Sequence, residues 1–194
     1  YLIDHWIKNN RPGKNDGWHS YTTSLRIRNW IWLFIFCPEL KNKERLKSLW
    51  HQICWLRAHP ERCHGGNHWI ENLVTLAISG CLFKGKFPEN ISINALLKLK
   101  IELNKQILND GGHEERTVGY HLLVLDRLVE LGCILELRYG SSPKWLYRKI
   151  EIMTEWAEKV RLENGSFPSF NDSNYVGYNN PDDVIKFSKG FLKS

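Results

Sequence analysis

With 194 residues, 42% of them hydrophobic, the chain can bury one sizeable core, and its length is that of one domain. Lysine and arginine outnumber aspartate and glutamate 27 to 21, and the resulting net charge of +6 favours anionic partners. The basic residues form no compact stripe or reader motif, which sets nucleic acid aside, and the longest apolar run, residues 30–37, is far short of the roughly 20 residues that span a bilayer. That run follows Arg26 and Arg28 and reads as a buried helix.

Taken in chain order, apolar residues recur at spacings of three and four, and almost no stretch alternates with period two. After a loop at 9–17, this spacing predicts helices over 22–36, 41–58, 67–83, 92–108, 117–139 and 143–163, with a short one at 182–192. The breaks carry Pro38, His59-Pro60, Gly65-Gly66, the stretches 85–88, 140–143 and 165–168, and Gly111-Gly112. The fold class is all-α. Long helices joined by short loops form antiparallel hairpins, either a bundle or an α/α toroid. The toroid is favoured, in incomplete form and as one domain over 1–194, because polar, aromatic and glycine-rich residues gather at the loop ends.

Five cysteines, at 37, 54, 63, 81 and 133, are odd in number and lie mostly beside apolar runs, so they read as free, buried thiols. Cys63, His64 and His68 do not make a closed zinc pattern, and no metal or cofactor is expected. The nine tryptophans and seven tyrosines serve first as core and second as flat platforms for sugar rings. The chain opens at Tyr1 with neither an initiator methionine nor a signal peptide, so it reads as a piece of a longer protein whose location is not legible.

Four segments concentrate the chemistry: WHSYTTSLRIRNW from Trp18, GGNHWIENL from Gly65, DGGHEERTVGYH from Asp110 and FPSFNDS from Phe167. Asn67 and Glu71 are four apart and His68 and Glu71 three apart, so on a helix one carboxylate can orient either donor. Arg116 lies four residues before Tyr120, where a cation would favour the phenolate. Each residue also has a plainer reading. Asn67 can cap a helix, His68 can hydrogen-bond the backbone, and Tyr120 can be an ordinary helix-facing aromatic.

In this order, GNHxxEN followed by DGGHxERxxxYH resembles the N-terminal domain of the heparinase II/III family of polysaccharide lyases, alginate and oligoalginate lyases included. The resemblance runs over nearly the whole chain. It implies a helical toroid that in relatives joins a C-terminal β-sandwich, and a reaction that cuts uronic-acid polymers by β-elimination. A heparan sulfate-like or alginate-like acidic polysaccharide is the implied partner, with the sandwich of the same protein completing the site. Only 21 residues follow Ser173, too few for that sandwich, so the chain by itself is expected to fold but not to turn over substrate. A periplasmic or secreted location is implied if the whole protein follows such relatives.

The resemblance places the neutralising amide on Asn67, an active-site histidine on His68 and the catalytic tyrosine on Tyr120. Removing the C5 proton of a uronate requires donors that offset its carboxylate, and a base and an acid that one phenol can supply. Trp18, Tyr21 and Arg26 are expected to line the groove, with an ion pair as the alternative for Arg26. Glu71 is expected to orient its neighbours. His113, Arg116 and His121 read either as substrate contacts or as structural residues, Arg116 being the best placed for substrate. The turn Asn171-Asp172-Ser173 is expected to shape the groove end through local side-chain to backbone bonds. Ser20 and Glu114 depart from the family pattern, which has proline and an aromatic there, and this puts the choice of polymer in doubt. The competing reading is a non-catalytic module that binds acidic glycans.

Overall fold

The computed structural model describes residues 1–62, 65–171, 173 and 180–193, so the expectations for Cys63, His64 and Asp172 lie outside the described residues. Among the described residues the regular elements are helices: α1 (Leu2–Asn9), α2 (Ser20–Phe36), α3 (Lys43–Ala58), α4 (Gly66–Leu82), α5 (Lys86–Gln106), α6 (Val118–Tyr139), α7 (Lys144–Lys159) and α8 (Pro181–Leu192). Short 3₁₀ turns occupy Asp16–Trp18 and Pro38–Leu40, and one isolated antiparallel bridge joins Ile107 and His113. None of these helices is long and apolar enough to cross a membrane. The chain forms two compact units, Tyr1–Ala95 and Leu96–Ser194, and α5 carries the division.

In the first unit α4 is the central helix. From Trp69 to Cys81 each of its residues is buried, as expected of a helix surrounded by others. It packs chiefly on α2 and also on α3, and Ile27, Ile53, Leu56, Ile70 and Leu73 fill the space. The apolar run at 30–37 is not buried throughout: Trp30, Ile31 and Phe34 face the core while Ile35 and Phe36 are exposed, because one helix face is enough to dock α2. In the second unit α6 has the central place and packs against α7 and α8 around Leu125, Leu128, Leu131 and Ile150.

The largest differences from the sequence reading are at α1 and α5. Helix α1 is absent from it, since eight residues give too few repeats to show a period. Helix α5 begins at Lys86, six residues before the expected start at 92, and so takes in Pro88. A proline in the first turn removes only an N–H that has no intrahelical acceptor, so it punctuates without stopping the helix. Cys37, Cys54 and Cys133 are partly exposed thiols and Cys81 is a buried one, all unpaired.

Candidate functional site

Gly65 and Gly66 take positive φ values of 62° and 55°, a path that side chains resist, and this path delivers Asn67 and His68 to the first turn of α4. The N-cap position belongs to Gly65, so Asn67 stands inside the helix and not at its cap. Asn67 is 7% exposed. The His68 side chain is 41% exposed and held on two sides. Its Nδ1 lies 3.0 Å from Glu61 Oε1, and the Tyr21 ring stacks on it at a centroid distance of 4.0 Å and an interplanar angle of 18°. His19 Nε2 approaches the same Glu61 oxygen at 3.8 Å. The Glu61 side chain is only 9% exposed, and its other oxygen, Oε2, is buried with no hydrogen-bond partner among the described residues.

Beneath this cluster lies a buried polar network. The Glu61 backbone N–H donates to Asn72 Oδ1 at 2.9 Å, Asn72 Nδ2 donates to Ser24 Oγ at 3.0 Å, and Ser24 Oγ donates to the Ser20 carbonyl at 3.0 Å. Ser20 donates its own hydroxyl to the His59 carbonyl. Glu71 is bound by Arg28 Nη1 at 2.6 Å, with Thr75 Oγ1 at 3.3 Å, all three buried. The carboxylate that pairs with His68 is therefore Glu61. The helical spacing of His68 and Glu71 pointed to Glu71, but an arginine from α2 holds its carboxylate, since a buried charge needs a charged partner.

Arg26 and Trp18 take packing roles within the first unit. The Arg26 guanidinium lies 3.9 Å from the centre of the Trp6 ring and donates to Gln52 Oε1 at 2.7 Å and to the Gly17 carbonyl at 2.5 Å. Burial pulls its pKa down to about 10. Its structural role runs through neutral acceptors and a ring face, whereas the alternative to the groove reading was an ion pair. Trp18 is buried between Trp6 and Trp55 and donates its Nε1–H to the Asn10 carbonyl at 3.3 Å.

In the second unit Tyr120 is half-buried in the first turn of α6, where its N–H is capped by Thr117 Oγ1 at 3.0 Å. Arg116 precedes the helix and has a left-handed backbone at φ 51°. The helical spacing assumed between Arg116 and Tyr120 therefore does not exist, because the chain turns at Arg116 before α6 begins. Asn171 Nδ2 donates to the Arg116 carbonyl at 2.9 Å, and the Val118 N–H donates to Ser173 Oγ at 3.0 Å. The turn at 171–173 thus does bond side chain to backbone, but it reaches residues 55 positions away and braces the start of α6.

The rest of the DGGH motif is packed. Gly111 (φ 94°) and Gly112 sit so close to α7 that an added Cβ would lie 2.3 Å from the Ile152 carbonyl oxygen and 2.8 Å from Trp156 Nε1, respectively. His113 is buried. It accepts the Glu115 N–H at Nδ1, 3.3 Å, and so donates from Nε2 to Gln106 Oε1 at 3.2 Å. Burial pushes its pKa down against the opposing pull of Glu115. His121 is fully buried, donates Nε2–H to the Met153 carbonyl at 2.9 Å, and leaves Nδ1 without a partner among the described residues. Burial drives its pKa down to about 3. Glu114 is exposed, and partial burial followed by the charges of Glu115 and Glu102 raises its pKa.

The structure thus gathers Tyr21 and His68 with two residues absent from the sequence reading, Glu61 and His19. Glu61 lies seven residues before His68 across a turn, so no helical period links them. The local sequence pattern carried no signal for this contact. Among the described residues no group of three or more His, Cys, Asp or Glu side chains is disposed to hold a metal ion.

Known proteins share this fold. The crystal structure of heparinase III superposes with a TM-score of 0.76 at 24% identity, covering 89% of this chain and 29% of that one. This shows the fold, and with it the all-α class and the toroid built of helix hairpins. FtsZ-localized protein C of Caulobacter vibrioides (strain NA1000 / CB15N) is 30% identical over 108 residues, 56% of this chain and 19% of that protein. The chain therefore spans about a fifth of that relative and under a third of heparinase III. The model of the family described as Heparinase II/III N-terminus matches residues 2–190. The chain belongs to the Heparinase II/III N-terminus family, and is a polysaccharide-lyase-related helical domain.

Proposed function

We propose that the chain is the helical part of a lyase that cleaves uronic-acid-containing acidic polysaccharide, heparan sulfate-like or alginate-like, by β-elimination. The observation that carries this reading is that Asn67 and His68 both stand in the first turn of α4, a 17-residue helix whose N-terminal end attracts anions. A uronate carboxylate there gains stabilisation as negative charge grows at C5. Tyr120 takes the C5 proton as phenolate. The freed electron pair forms the C4–C5 double bond, the C4–O bond breaks, and the leaving oxygen collects a proton from the phenol or from a further acid supplied by the rest of the protein. Arg116, exposed at the turn before α6, binds the anionic polymer. Trp18, Arg26, His113 and His121 act through packing.

The test is Tyr120→Phe in the whole protein, assayed by the ultraviolet absorbance of the unsaturated product. Turnover falls to background while binding of the polymer is retained, because the ring stays and the proton-transfer group goes. Unchanged turnover refutes the assignment. A second reading, a module that binds acidic glycan without cutting it, is favoured by the relative whose name records localisation and no reaction. Calorimetric binding by a wild-type protein that yields no unsaturated product would establish it.

A further inference from the structure

We infer that Glu61 is a positioning residue that fixes the tautomer and the ring placement of His68, leaving Nε2 as the atom His68 offers to a ligand. The inference rests on the lyase reading for what that ligand is, but its own content is the state of one imidazole.

A carboxylate can only accept, so the 3.0 Å contact puts a proton on His68 Nδ1 and directs it at Glu61 Oε1. In a neutral imidazole the other nitrogen then bears the lone pair, and in the cation it bears the second N–H. The ring cannot swing away. Tyr21 from α2 covers one face at 4.0 Å, and His68 itself is anchored in the first turn of α4.

Glu61 is equally constrained. Its backbone N–H is tied to Asn72 Oδ1, and Asn72 is tied through Ser24 to α2, so the carboxylate is fixed relative to both helices that carry the imidazole and the phenol ring. Its Oε2 is buried with no partner among the described residues. His19, at 3.8 Å and with a half-exposed side chain, is too far for a hydrogen bond to Oε1 and leaves His68 as the group Glu61 holds. An imidazole with one nitrogen locked and 41% of its side chain in solvent has the form of a group oriented for use.

The experiment is long-range proton–nitrogen correlation NMR on the ¹⁵N-histidine-labelled chain, with and without alginate or heparan-type oligosaccharide. In the wild type His68 shows a single Nδ1–H tautomer. Glu61→Ala converts it to a mixture or to Nε2–H, while His19→Gln leaves it unchanged. A wild-type His68 protonated at Nε2 alone, or an Nδ1–H form that survives Glu61→Ala, overturns the inference. Should Glu61→Ala fail to fold, the wild-type spectrum and the near-isosteric Glu61→Gln, whose amide can present either an acceptor or a donor and so loosens the tautomer, still decide. Oligosaccharide then shifts Nε2 and leaves Nδ1 in place. A fixed tautomer that no oligosaccharide perturbs supports the role of Glu61 and overturns the lyase reading. An unfixed tautomer in a protein that does bind oligosaccharide has the opposite consequence.

Discussion

Replacing Gly111 by alanine separates packing from chemistry in the DGGH motif. Gly111 has φ 94°, and an added Cβ would lie 2.3 Å from the Ile152 carbonyl oxygen, 3.0 Å from its carbon and 3.2 Å from Trp156 Cβ. Two of these atoms are backbone of α7, which cannot step aside as a side-chain tip can. Alanine in a left-handed conformation costs about 1–2 kcal/mol, and forcing a methyl into a filled space adds about 1–3 kcal/mol. Gly140 is the matched control. It closes α6 at φ 78° with nothing within 4 Å of its added Cβ, so Gly140→Ala bears the conformational cost alone. Urea titrations followed by circular dichroism should therefore place Gly111→Ala about 1–3 kcal/mol below Gly140→Ala, roughly a 5- to 150-fold difference in the folding equilibrium. Equal losses for the two variants would show that the approach of the loop to α7 is not what requires glycine at position 111.

Glu71→Ala leaves the buried Arg28 guanidinium without its carboxylate, and urea titration should show a loss of about 3–5 kcal/mol; a loss under about 1 kcal/mol would refute the buried pairing. The His121 ring titrates near 3 when folded, against an ordinary value of 6.5, so below about pH 6.5 the unfolded chain binds a proton that the folded chain refuses. Stability should fall by up to about 1.4 kcal/mol per pH unit for this residue as pH drops toward 3, with His113 adding in the same direction, and His121→Gln should flatten the slope measured between pH 7 and 4. Asn67→Ala in the whole protein should lower kcat by about 10² to 10³, the scale of one lost charge-stabilising donor, with the ultraviolet assay as readout. Calorimetric affinity for acidic oligosaccharide should weaken as salt rises, and equal affinity for a neutral oligosaccharide would count against a uronate site.

The helices were legible because their apolar periods are long and their ends carry glycine or proline. The failures have physical causes: α1 is too short to show a period, and Pro88 sits in the one turn of α5 that tolerates it. The site was half legible. Asn67 and His68 follow a glycine pair that could only be a turn, and the helix that starts there is where the motif puts it. The partner of His68 was misread because i,i+3 spacing says which side chains are neighbours on a helix and nothing about what a second helix inserts between them. A stronger clue lay in the charges. Arg28 and Glu71 are the buried charges of α2 and α4, and two such charges on neighbouring helices are tolerated as a pair.

Most of the DGGHEER segment is occupied in packing and hydrogen bonding. Gly111 and Gly112 allow the loop to lie against α7, and Asp110 Oδ1 accepts the Gly112 N–H at 2.9 Å to set the turn. His113 fastens the loop to the end of α5 through Gln106, and His121 fastens α6 to α7 through the Met153 carbonyl. Asn171 and Ser173 hold the backbone of Arg116 and Val118 from the far side of the sequence. Each of these contacts fixes the same thing, the position at which α6 begins, and Tyr120 stands in its first turn. The phenol is thus placed by a loop, two buried histidines and a distant turn, none of which needs to touch substrate. If Tyr120 acts as proposed, a change at any of them should lower turnover by moving Tyr120 and should lower stability with it, whereas Tyr120→Phe should lower turnover and leave stability nearly unchanged.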